Sequence, residues 1–377
     1  MCCNRDSTGL ELRVAIVSSY ALSAYGGAQE QALAMSRELS GRGHDVLLVA
    51  PDGNDHATYD TPAQVARFGA VLKVPANGSR APLTLSPTAS RRAAQAVANF
   101  RPDVVHFHEP FAPLIGWGVL RAHRAPAVAT FHRGGGGPAL SLTKPLLRRL
   151  ARHLDATASV SASAAATITA ACDIVPTVLY NGFEMERFVA TPRERSDETV
   201  LVVLGRHEER KGVAHAINAV RAHNARGGDR WRLVVVGDGP QRRSLEALAA
   251  GDSSIEFVGA PNDDDKRRWL RRANALIAPS LGGESFGLIL LEAMASEISV
   301  VASDIEGYHE AASGFATMFT PGDDTSLELA IERALEDETT ESIAKAKAHA
   351  NGWSMVTLMD RYEDLYSLAR ERFSATR

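Results

Sequence analysis

The fold of this 377-residue chain is decided by one segment, LIAPSLGGESFGLILLEAMA at residues 276–295. It opens with the apolar run Leu276–Ala278, passes through the glycine pair Gly282-Gly283, and ends in the helix-period segment Phe286–Ala295. A strand that leads through a glycine turn into a helix is the repeating unit of parallel α/β sheets. Amides at the start of such a helix attract phosphate and other anions. The segment therefore predicts a strand–turn–helix unit with a ligand site at its turn.

Short apolar runs and helix-period segments alternate in the same way along most of the chain. Continuous apolar strands separated by helices are typical of parallel sheets covered on both faces. The predicted strands are Val14–Val17, Val46–Val49, Val104–Phe107, Val128–Phe131, Val200–Leu204, Leu233–Val236, Ile255–Val258, Leu276–Ala278 and Val300–Ala302. Helices are predicted over Ala28–Ser40, Ser90–Asn99, Gln241–Ala249 and Phe286–Ala295.

A break in this alternation predicts two domains. The turn at Tyr180–Phe183 is followed by the charged stretch Thr191–Thr199, and a new strand–helix series begins at Val200. We therefore expect two doubly wound, Rossmann-like α/β domains at residues 1–183 and 184–355. A last helix over about residues 356–377 carries an apolar face that needs a partner surface. The residues of that face are Met359, Tyr362, Leu365 and Tyr366.

Composition excludes several classes of protein. Hydrophobic residues make up 45% and charged residues 23% of the chain, as in soluble globular proteins. The net charge of −4 gives no global support for a nucleic-acid partner. Three cysteines, two of them at Cys2 and Cys3, supply neither a disulfide framework nor a zinc cluster. With no apolar run of about 18 residues, the expected location is the cytoplasm, with membrane-surface contact left open.

Charged residues at two predicted strand ends form the main candidate site. Arg206 and Lys211 follow the strand that ends at Leu204, and a guanidinium fork with an ammonium suits a diphosphate. Their neighbours Glu208 and Glu209 also allow a simpler interpretation, ordinary solvated surface charge. Glu284 lies at the mouth of the second turn, where a carboxylate can accept hydrogen bonds from sugar hydroxyls.

Glycines and histidines mark a second candidate site in the first half. Gly26-Gly27 precede a predicted helix, where a glycine turn serves a ligand or simply a tight connection. His106, His108 and Glu109 follow one strand, and His132 closes another, before the glycine run Gly134–Gly137. Histidine and carboxylate can bind zinc, but the alternation of His106 and His108 on one strand face is too general to indicate a metal.

Taken together, these motifs resemble those of the retaining glycosyltransferases of family 4, which have the GT-B fold of two Rossmann-like domains facing across a cleft. Within that family the resemblance is to enzymes that move mannose from GDP-mannose to the inositol of phosphatidylinositol. The segments that carry it are Tyr25–Gln29, Asn77–Ser79, His106–Pro110, Ala129–His132, Gly205-Arg206 with Lys211-Gly212, and Pro279–Ala295.

The resemblance implies a role for each matching residue. His132, Arg206, Lys211 and Glu284 would be catalytic, with His132 beside the transferred sugar and the two cations on the diphosphate. Donor contacts would come from Gly26, Gly27, Asp263, Lys266, Ser285, Phe286, Gly287 and Glu292, with Glu292 on the ribose and Asp263 and Lys266 near the base. No tightly bound cofactor and no divalent metal are implied, and the nucleotide sugar is a co-substrate. The last helix would pack back on the first domain.

The residues implied for acceptor binding resemble those of the family less closely than the donor residues do. Residues implied there are Asn77, Arg80, Arg91, Arg92, His108 and Glu109. Lipid-acceptor members of the family carry a basic amphipathic helix that binds anionic membrane, whereas the matching stretch Ser90–Asn99 offers Arg91 and Arg92 followed by alanines. At roughly 1 kcal/mol per basic residue near an anionic leaflet, this predicts weak peripheral contact with the inner face of the cell membrane.

Some of these residues are also compatible with other mechanisms and functions. Retaining transfer often uses a carboxylate nucleophile, and Glu109 is a candidate by position alone; the resemblance instead implies front-face substitution assisted by the leaving phosphate. A family 4 enzyme with another nucleotide sugar and a non-lipid acceptor, a non-catalytic nucleotide-sugar-binding protein, and a phosphorylase or epimerase of related fold remain alternatives. A dehydrogenase is disfavoured because Gly237-Asp238-Gly239 is followed by Arg242 in place of the third glycine.

Overall fold

The structure is a computed structural model that describes residues 11–23, 27–51, 59–76, 79–132, 138–189, 198–260, 262–284 and 286–376. At positions 73, 75, 76, 79, 80, 138–142 and 263 it describes the backbone and not the side chain. The chain divides into two compact units. Unit 1 contains residues 1–181 and 358–377, and unit 2 contains residues 182–357. None of the described helices is both long and apolar enough to span a bilayer.

Unit 1 is built on a parallel sheet of seven strands. In chain order its strands are β1 (Arg13–Ser18), β2 (Asp45–Pro51), β3 (Gln64–Phe68), β6 (Val104–His108), β7 (Ala127–Phe131), β8 (Ala156–Ser159) and β9 (Thr177–Val178), and the hairpin β4 (Leu72–Ala76) and β5 (Ser79–Leu83) forms a separate antiparallel pair. The spatial order is β3-β2-β1-β6-β7-β8-β9, so the order reverses between β1 and β6. Ligands of doubly wound sheets bind beyond the carboxyl ends of the strands at such a reversal.

Five helices of unit 1 connect these strands: α1 (Gly27–Gly41), α2 (Pro87–Phe100), α3 (Ile115–Ala122), α4 (Pro138–Ala151) and α5 (Ala162–Cys172). One face of the sheet is covered by α2, α3, α4 and α5, whose apolar side chains share a single core with alternate strand residues. Because strand side chains point alternately to the two faces, residues between these, such as His106, face the other side. Ser86 caps α2 by accepting a hydrogen bond from Ala89 N, and Pro87 fits the first helical position.

Unit 2 repeats the architecture with six parallel strands: β10 (Thr199–Leu204), β11 (Trp231–Val236), β12 (Ile255–Gly259), β13 (Ala275–Ala278), β14 (Ser299–Ser303) and β15 (Thr317–Phe319). Its helices are α6 (Met185–Val189), α7 (Val213–Arg226), α8 (Arg242–Ala249), α9 (Asp263–Arg272), α10 (Leu288–Ala295), α11 (Glu306–Ala312), α12 (Asp324–Glu336) and α13 (Thr340–Asn351), with a 3₁₀ turn at Glu209–Lys211. The strand order β12-β11-β10-β13-β14-β15 reverses between β10 and β13.

The last helix, α14 (Met355–Ala375), carries the predicted apolar face. From Leu358 onwards it belongs to unit 1, where its polar contacts include Arg42 with Asp360 and Glu363. Met359, Tyr362 and Tyr366 on this helix are at most 1% exposed, which confirms the predicted buried face.

The predicted α/β architecture is confirmed, since all nine predicted strands lie within observed ones. The four predicted helices are also observed, with ends that differ by up to three residues; α2, for example, begins at Pro87 and not at Ser90. The helix predicted from Phe286 begins at Leu288, because Gly287 before it has a left-handed φ of 85°. A Cβ at Gly287 would lie 2.4 Å from Tyr308 Cδ1, so this turn requires glycine.

Candidate active site

Two loops meet where the strand order of unit 2 reverses. Residues 205–212 follow β10 and residues 279–287 follow β13, its parallel neighbour. A backbone hydrogen bond from Leu281 N to the carbonyl oxygen of Arg210, 2.7 Å long, joins the loops. A Cβ at Gly212 would lie 1.9 Å from the carbonyl oxygen of Pro279, so the loops come this close only with glycine there. The two charged motifs of the sequence are therefore neighbours in the folded chain.

Glu284 is the centre of the polar contacts between these loops. Its Oε1 lies 2.7 Å from Lys211 Nζ and 3.1 Å from Arg210 Nη1, and it accepts a hydrogen bond from Ser280 Oγ at 3.0 Å. The side chains of Glu284 and Lys211 are only 13% and 22% exposed, so their attraction is screened less than that of a surface pair. The structure thus brings the predicted sugar residue Glu284 into direct contact with the predicted diphosphate residue Lys211.

Arg206, the other predicted diphosphate residue, is the most exposed cation of the loop. Its side chain is 63% exposed, and its Nε lies 3.1 Å from Glu208 Oε1. The other oxygen of Glu208 accepts a hydrogen bond from Arg210 Nε at 3.0 Å. Glu208 therefore holds two guanidinium groups at one side of the loop. Two planar forks and an ammonium within six residues suit a diphosphate, which takes several charge-assisted hydrogen bonds at once.

The buried residue Tyr308 supports the loop that follows β13. Tyr308 is 2% exposed, and its hydroxyl donates a hydrogen bond to Ser280 Oγ at 2.9 Å. Burial raises the pKa of Tyr308 well above its ordinary value, so it remains a neutral donor. A Cβ at Gly307 would lie 2.0 Å from the carbonyl oxygen of Glu284, so α11 contacts the loop backbone directly. The chain Tyr308–Ser280–Glu284 fixes the orientation of the carboxylate.

Lys266 and Glu292, two further predicted donor contacts, form a second buried pair. Lys266 Nζ on α9 lies 2.9 Å from Glu292 Oε1 on α10, with side chains 12% and 9% exposed. Lys266 Nζ also lies 5.5 Å above the ring of Phe188. A cation held by both a carboxylate and an aromatic face is fixed in place. Residues implied for the base and the ribose therefore lie together.

The glycines after β11 serve packing. A Cβ at Gly237 would lie 1.9 Å from the carbonyl oxygen of Gly205, and a Cβ at Gly239 would lie 2.6 Å from that of His207. His207 N donates a hydrogen bond to the carbonyl oxygen of Asp238 at 2.9 Å. These close contacts explain why both positions are glycine, so the glycines do not indicate a dinucleotide site. A dehydrogenase is disfavoured on this ground as well as by the sequence.

In unit 1, three histidine rings stack at the carboxyl ends of β6 and β7. His106 and His108 have ring centroids 4.8 Å apart, and His108 and His132 have centroids 5.1 Å apart. His108 Nδ1 lies 2.9 Å from His132 Nε2. The predicted common face of His106 and His108 is therefore observed. His132 N donates to Glu109 Oε1 at 2.5 Å, so the carboxylate of Glu109 holds the backbone at the end of β7.

Two tyrosines of α14 complete a buried network around His106. Its Nδ1 lies 2.8 Å from Tyr366 OH, and its Nε2 lies 2.8 Å from Thr130 Oγ1. Thr130 Oγ1 in turn lies 2.9 Å from Tyr362 OH. Every ring nitrogen of His106 is thus satisfied by a hydroxyl group. Burial lowers the pKa of His106, so the imidazole is neutral and uses one nitrogen as donor and the other as acceptor.

Both units of the chain match known proteins. A family model described as Glycosyl transferases group 1 matches residues 198–337, and one described as Glycosyltransferase Family 4 matches residues 25–187. A protein of Mycolicibacterium smegmatis named phosphatidyl-myo-inositol mannosyltransferase is 32% identical over 366 residues, covering 93% of this chain and 94% of its own length. The chain belongs to glycosyltransferase family 4. A second relative of that name, from Propionibacterium freudenreichii, is 29% identical with 97% of each chain covered.

Solved structures place this family 4 glycosyltransferase in the GT-B fold. The sucrose-phosphate synthase of Thermosynechococcus elongatus superimposes with a TM-score of 0.73 at 18% identity, covering 97% of this chain and all of its own. A glycosyltransferase from Rickettsia africae gives the same TM-score at 15% identity, covering 95% and 98%. At these identities the likeness concerns the fold alone.

Several predicted site residues lie away from the two loops of unit 2 and the histidine cluster of unit 1, or fall outside the described part of the chain. Gly26, Asn77 and Ser285 fall outside the described residues, as do the side chains of Arg80 and Asp263. Gly27 is the first residue of α1, and Phe286 is 4% exposed before α10. Arg91 and Arg92 are exposed on α2, away from the histidines of the other sheet face.

Sequence reasoning missed the residues that support the site of this glycosyltransferase. Arg210 was assigned no role, yet it contacts Glu284. Ser280 was also assigned no role within the segment Pro279–Ala295, Tyr308 lies outside the motifs, and Tyr362 and Tyr366 were predicted as part of an apolar helix face, without polar contacts. The only available signal was the presence of polar atoms on otherwise apolar faces, as in Tyr362 and Tyr366.

A histidine–carboxylate cluster occurs in unit 2, apart from these loops. His223, Glu328 and Glu332 offer ligand atoms within 4.8 Å of one another. The guanidinium of Arg226 contacts both carboxylates. Because this cation already pairs with both carboxylates, the cluster is explained as an ion-pair network.

The buried histidines predict a stability that falls as the pH is lowered. Burial lowers the pKa of His106 and of His132 to about 3, from 6.5 in an exposed histidine. Above pH 6.5 both states are neutral; below it the unfolded state binds more protons, and unfolding becomes easier by about 1.4 kcal/mol per pH unit and group. Scanning calorimetry should give a melting temperature that is level above pH 7.5 and falls from 6.5 to 5. A His106→Gln variant should show a shallower fall, and an unchanged melting temperature at pH 5 would contradict the assignment.

Proposed function

We propose that this protein transfers mannose from GDP-mannose to the inositol of phosphatidylinositol, with retention at the sugar carbon. The observation that carries the donor half is the joining of Lys211, Arg210 and Glu284 at the strand reversal of unit 2. The acceptor and the sugar are supported by the names of the two relatives, which cover nearly the whole chain.

The chemistry of the proposed site is mainly electrostatic. Negative charge grows on the diphosphate as its bond to the sugar breaks, and fixed cations stabilise that charge without reorganising. Lys211 and Arg206 would meet the phosphates, and Arg210, held by Glu208, adds a second guanidinium. Glu284, oriented by Ser280, would accept hydrogen bonds from hydroxyls of the transferred sugar. A phosphate bound here would share Lys211 with Glu284, which couples diphosphate binding to the position of the sugar carboxylate.

Glu109 is poorly suited to act as a nucleophile. Its Oε1 accepts a 2.5 Å hydrogen bond from His132 N, which ties the carboxylate to the end of β7. We therefore propose front-face substitution, in which the departing phosphate takes the proton of the acceptor hydroxyl. Because Arg206, Arg210 and Lys211 already offer positive charge to the diphosphate, we propose that the reaction needs no metal and no tightly bound cofactor.

A thermal-shift series and a transfer assay test this function together. A nucleotide that binds only the folded state at 100 times its dissociation constant stabilises the protein by about 2.7 kcal/mol. We expect this effect with GDP and not with UDP or ADP, and transfer of labelled mannose to phosphatidylinositol. Stabilisation by UDP, with transfer to a soluble acceptor, would instead support another family 4 specificity. Binding without any transfer would support a nucleotide-sugar-binding protein.

A basic surface on unit 1 supports a membrane-bound acceptor. From residue 87 to residue 153 the sequence has ten Lys and Arg against two Asp and Glu, in a chain of net charge −4. Helices α2, α3 and α4 of this stretch lie side by side on one sheet face. Exposed basic residues on these helices include Arg91, Arg92, Arg121 and Arg149, and Arg152 follows directly after α4. We propose that this face meets the anionic membrane that carries the lipid acceptor, with Leu146, 37% exposed on α4, at the interface.

Binding to anionic vesicles should be measurable and sensitive to salt. Each basic residue near an anionic leaflet contributes about 1 kcal/mol, screened over a Debye length of about 8 Å at physiological salt. We expect the protein to sediment with phosphatidylserine vesicles at low salt, and less of it to do so at physiological salt. Vesicle binding should fall markedly in each of two double variants, Arg91→Glu with Arg92→Glu and Arg149→Glu with Arg152→Glu. Neutral phosphatidylcholine vesicles are the control. Equal binding to both vesicle types, or none at either salt, would contradict the basic surface as the contact.

A further inference from the structure

His108 keeps a polar atom buried without a partner. The residue has no exposed surface, and its Nε2 has no hydrogen-bond partner in the described part of the chain. His132 Nδ1 is likewise a buried atom with no hydrogen-bond partner among the described residues. An unpaired buried polar atom costs stability, and an apolar side chain at position 108 would avoid that cost. A residue retained in spite of such a cost calls for an explanation other than packing.

The bond between the two rings links the protonation of one to the other. His108 Nδ1 and His132 Nε2 are 2.9 Å apart, so one proton lies between them. A neutral imidazole has one donor and one acceptor nitrogen. If His108 Nδ1 donates, His132 must carry its own proton on Nδ1; if His132 Nε2 donates, its Nδ1 is a bare acceptor. The tautomer of His108 therefore determines whether His132 Nδ1 donates or accepts.

The surroundings hold His108 in one orientation. Its ring stacks on His106 with an interplanar angle of 14°, and both nitrogens of His106 are bound to hydroxyls. Glu109, the next residue, has a left-handed φ of 54°, and its carbonyl oxygen accepts a hydrogen bond from Ser19 Oγ at 2.7 Å. Left-handed backbone is costly outside glycine and often occurs at functional sites. Burial also lowers the pKa of His108 well below its usual value, which keeps the ring neutral.

We propose that His108 is a positioning residue that fixes the tautomer and the ring orientation of His132. The role rests on the proposed function, in which His132 lies beside the transferred sugar. His108 itself would not touch the substrate. The hydroxyl network of Tyr362, Thr130, His106 and Tyr366 then has a structural part, because it holds the ring against which His108 stacks.

Two substitutions at position 108 separate positioning from folding. His108→Asn keeps a hydrogen-bonding group near the position of Nδ1, whereas His108→Leu removes both the bond and the unpaired atom. We expect a single His132 tautomer in long-range ¹H–¹⁵N spectra of the wild type and His108→Asn, and a mixture in His108→Leu. kcat should fall about tenfold in His108→Leu, as for one lost hydrogen bond, with KM for the donor nearly unchanged and partial rescue in His108→Asn. The melting temperature of His108→Leu should change little, because removing the unpaired His108 Nε2 offsets the loss of the partner of His132 Nε2.

Asp155→Ala is the control for a purely structural effect. It removes the 2.8 Å hydrogen bond that Asp155 Oδ2 accepts from Ala127 N at the amino end of β7, so the melting temperature should fall while kcat stays within about twofold, the change expected from a group outside the site. A single His132 tautomer in His108→Leu would overturn the inference, and so would a tautomer mixture with unchanged kcat. A wild-type protein that transfers no mannose would instead overturn the proposed function, and the tautomer spectra would still decide whether His108 fixes His132.

Discussion

Replacing Lys211 by alanine is expected to lower turnover by about 10²–10³, the usual scale for removal of a group that stabilises transition-state charge. The ammonium lies in the loop after β10, 2.7 Å from Glu284 and 22% exposed. Its partial burial makes its field stronger than that of a surface lysine. Arg206→Ala should have an effect of the same order, since Arg206 lies five residues before Lys211 and offers a planar fork to the same diphosphate.

The two variants should differ in stability, and this separates binding from folding. Arg206 is 63% exposed, so its removal should leave the melting temperature unchanged. Lys211→Ala leaves the buried Glu284 with Arg210 and Ser280 alone, and should lower the melting temperature. Steady-state kinetics with calorimetry measures both effects. Lys345→Ala, which removes an exposed lysine paired with Glu341 on α13, is the matched control. Turnover close to that of the control in Arg206→Ala would remove Arg206 from the mechanism.

The central strands and the two strand-end motifs were predictable because their signals are local. A buried parallel strand is a continuous apolar run, and β1, β2, β6, β7 and β10 to β14 all show one. The strands β3, β4, β5, β8, β9 and β15 were missed. Their sequences interrupt or lack a continuous run of large apolar residues, and pairing with a neighbour decides their conformation.

The contacts within the site could not be read from the sequence, because they join residues far apart in it. Glu284 and Lys211 are separated by 73 positions, and their neighbourhood depends on the adjacency of β10 and β13. His106 and Tyr366 are separated by 260 positions. The sequence identified Tyr366 as part of a buried helix face, but whether its hydroxyl meets a histidine is determined by the packing of α14. Motifs thus predict which residues act, and tertiary structure determines which residues orient them.

Glu284→Ala is expected to abolish most transfer, by about 10² in kcat, while affinity for the free nucleoside diphosphate is retained. The structure gives a reason for this division. The carboxylate takes charge-assisted contacts from Lys211 and Arg210, each of which would also serve a phosphate. Without Glu284 the diphosphate no longer shares Lys211 and Arg210 with this carboxylate, so GDP should bind as well as before or more tightly. The sugar loses its acceptor, and with it the interaction that distinguishes the transition state from bound nucleotide.

Calorimetric titration of GDP, set beside kcat for transfer, decides whether Glu284 acts in this way. Glu284→Gln is the conservative variant: it keeps an oxygen for sugar hydroxyls and removes the charge, so its kcat should lie between those of the wild type and Glu284→Ala. Glu256→Ala removes a carboxylate that is 2.6 Å from Arg232 in the same unit and serves as the matched control. If GDP affinity falls in parallel with kcat in Glu284→Ala, the carboxylate acts by holding the cations of the loop and not by binding the sugar. Because Glu284 contacts Lys211, its two possible roles predict different results for the loss of this one side chain. If Glu284 binds the sugar, GDP affinity should be kept or rise, and if it holds the cations of the loop, GDP affinity should fall.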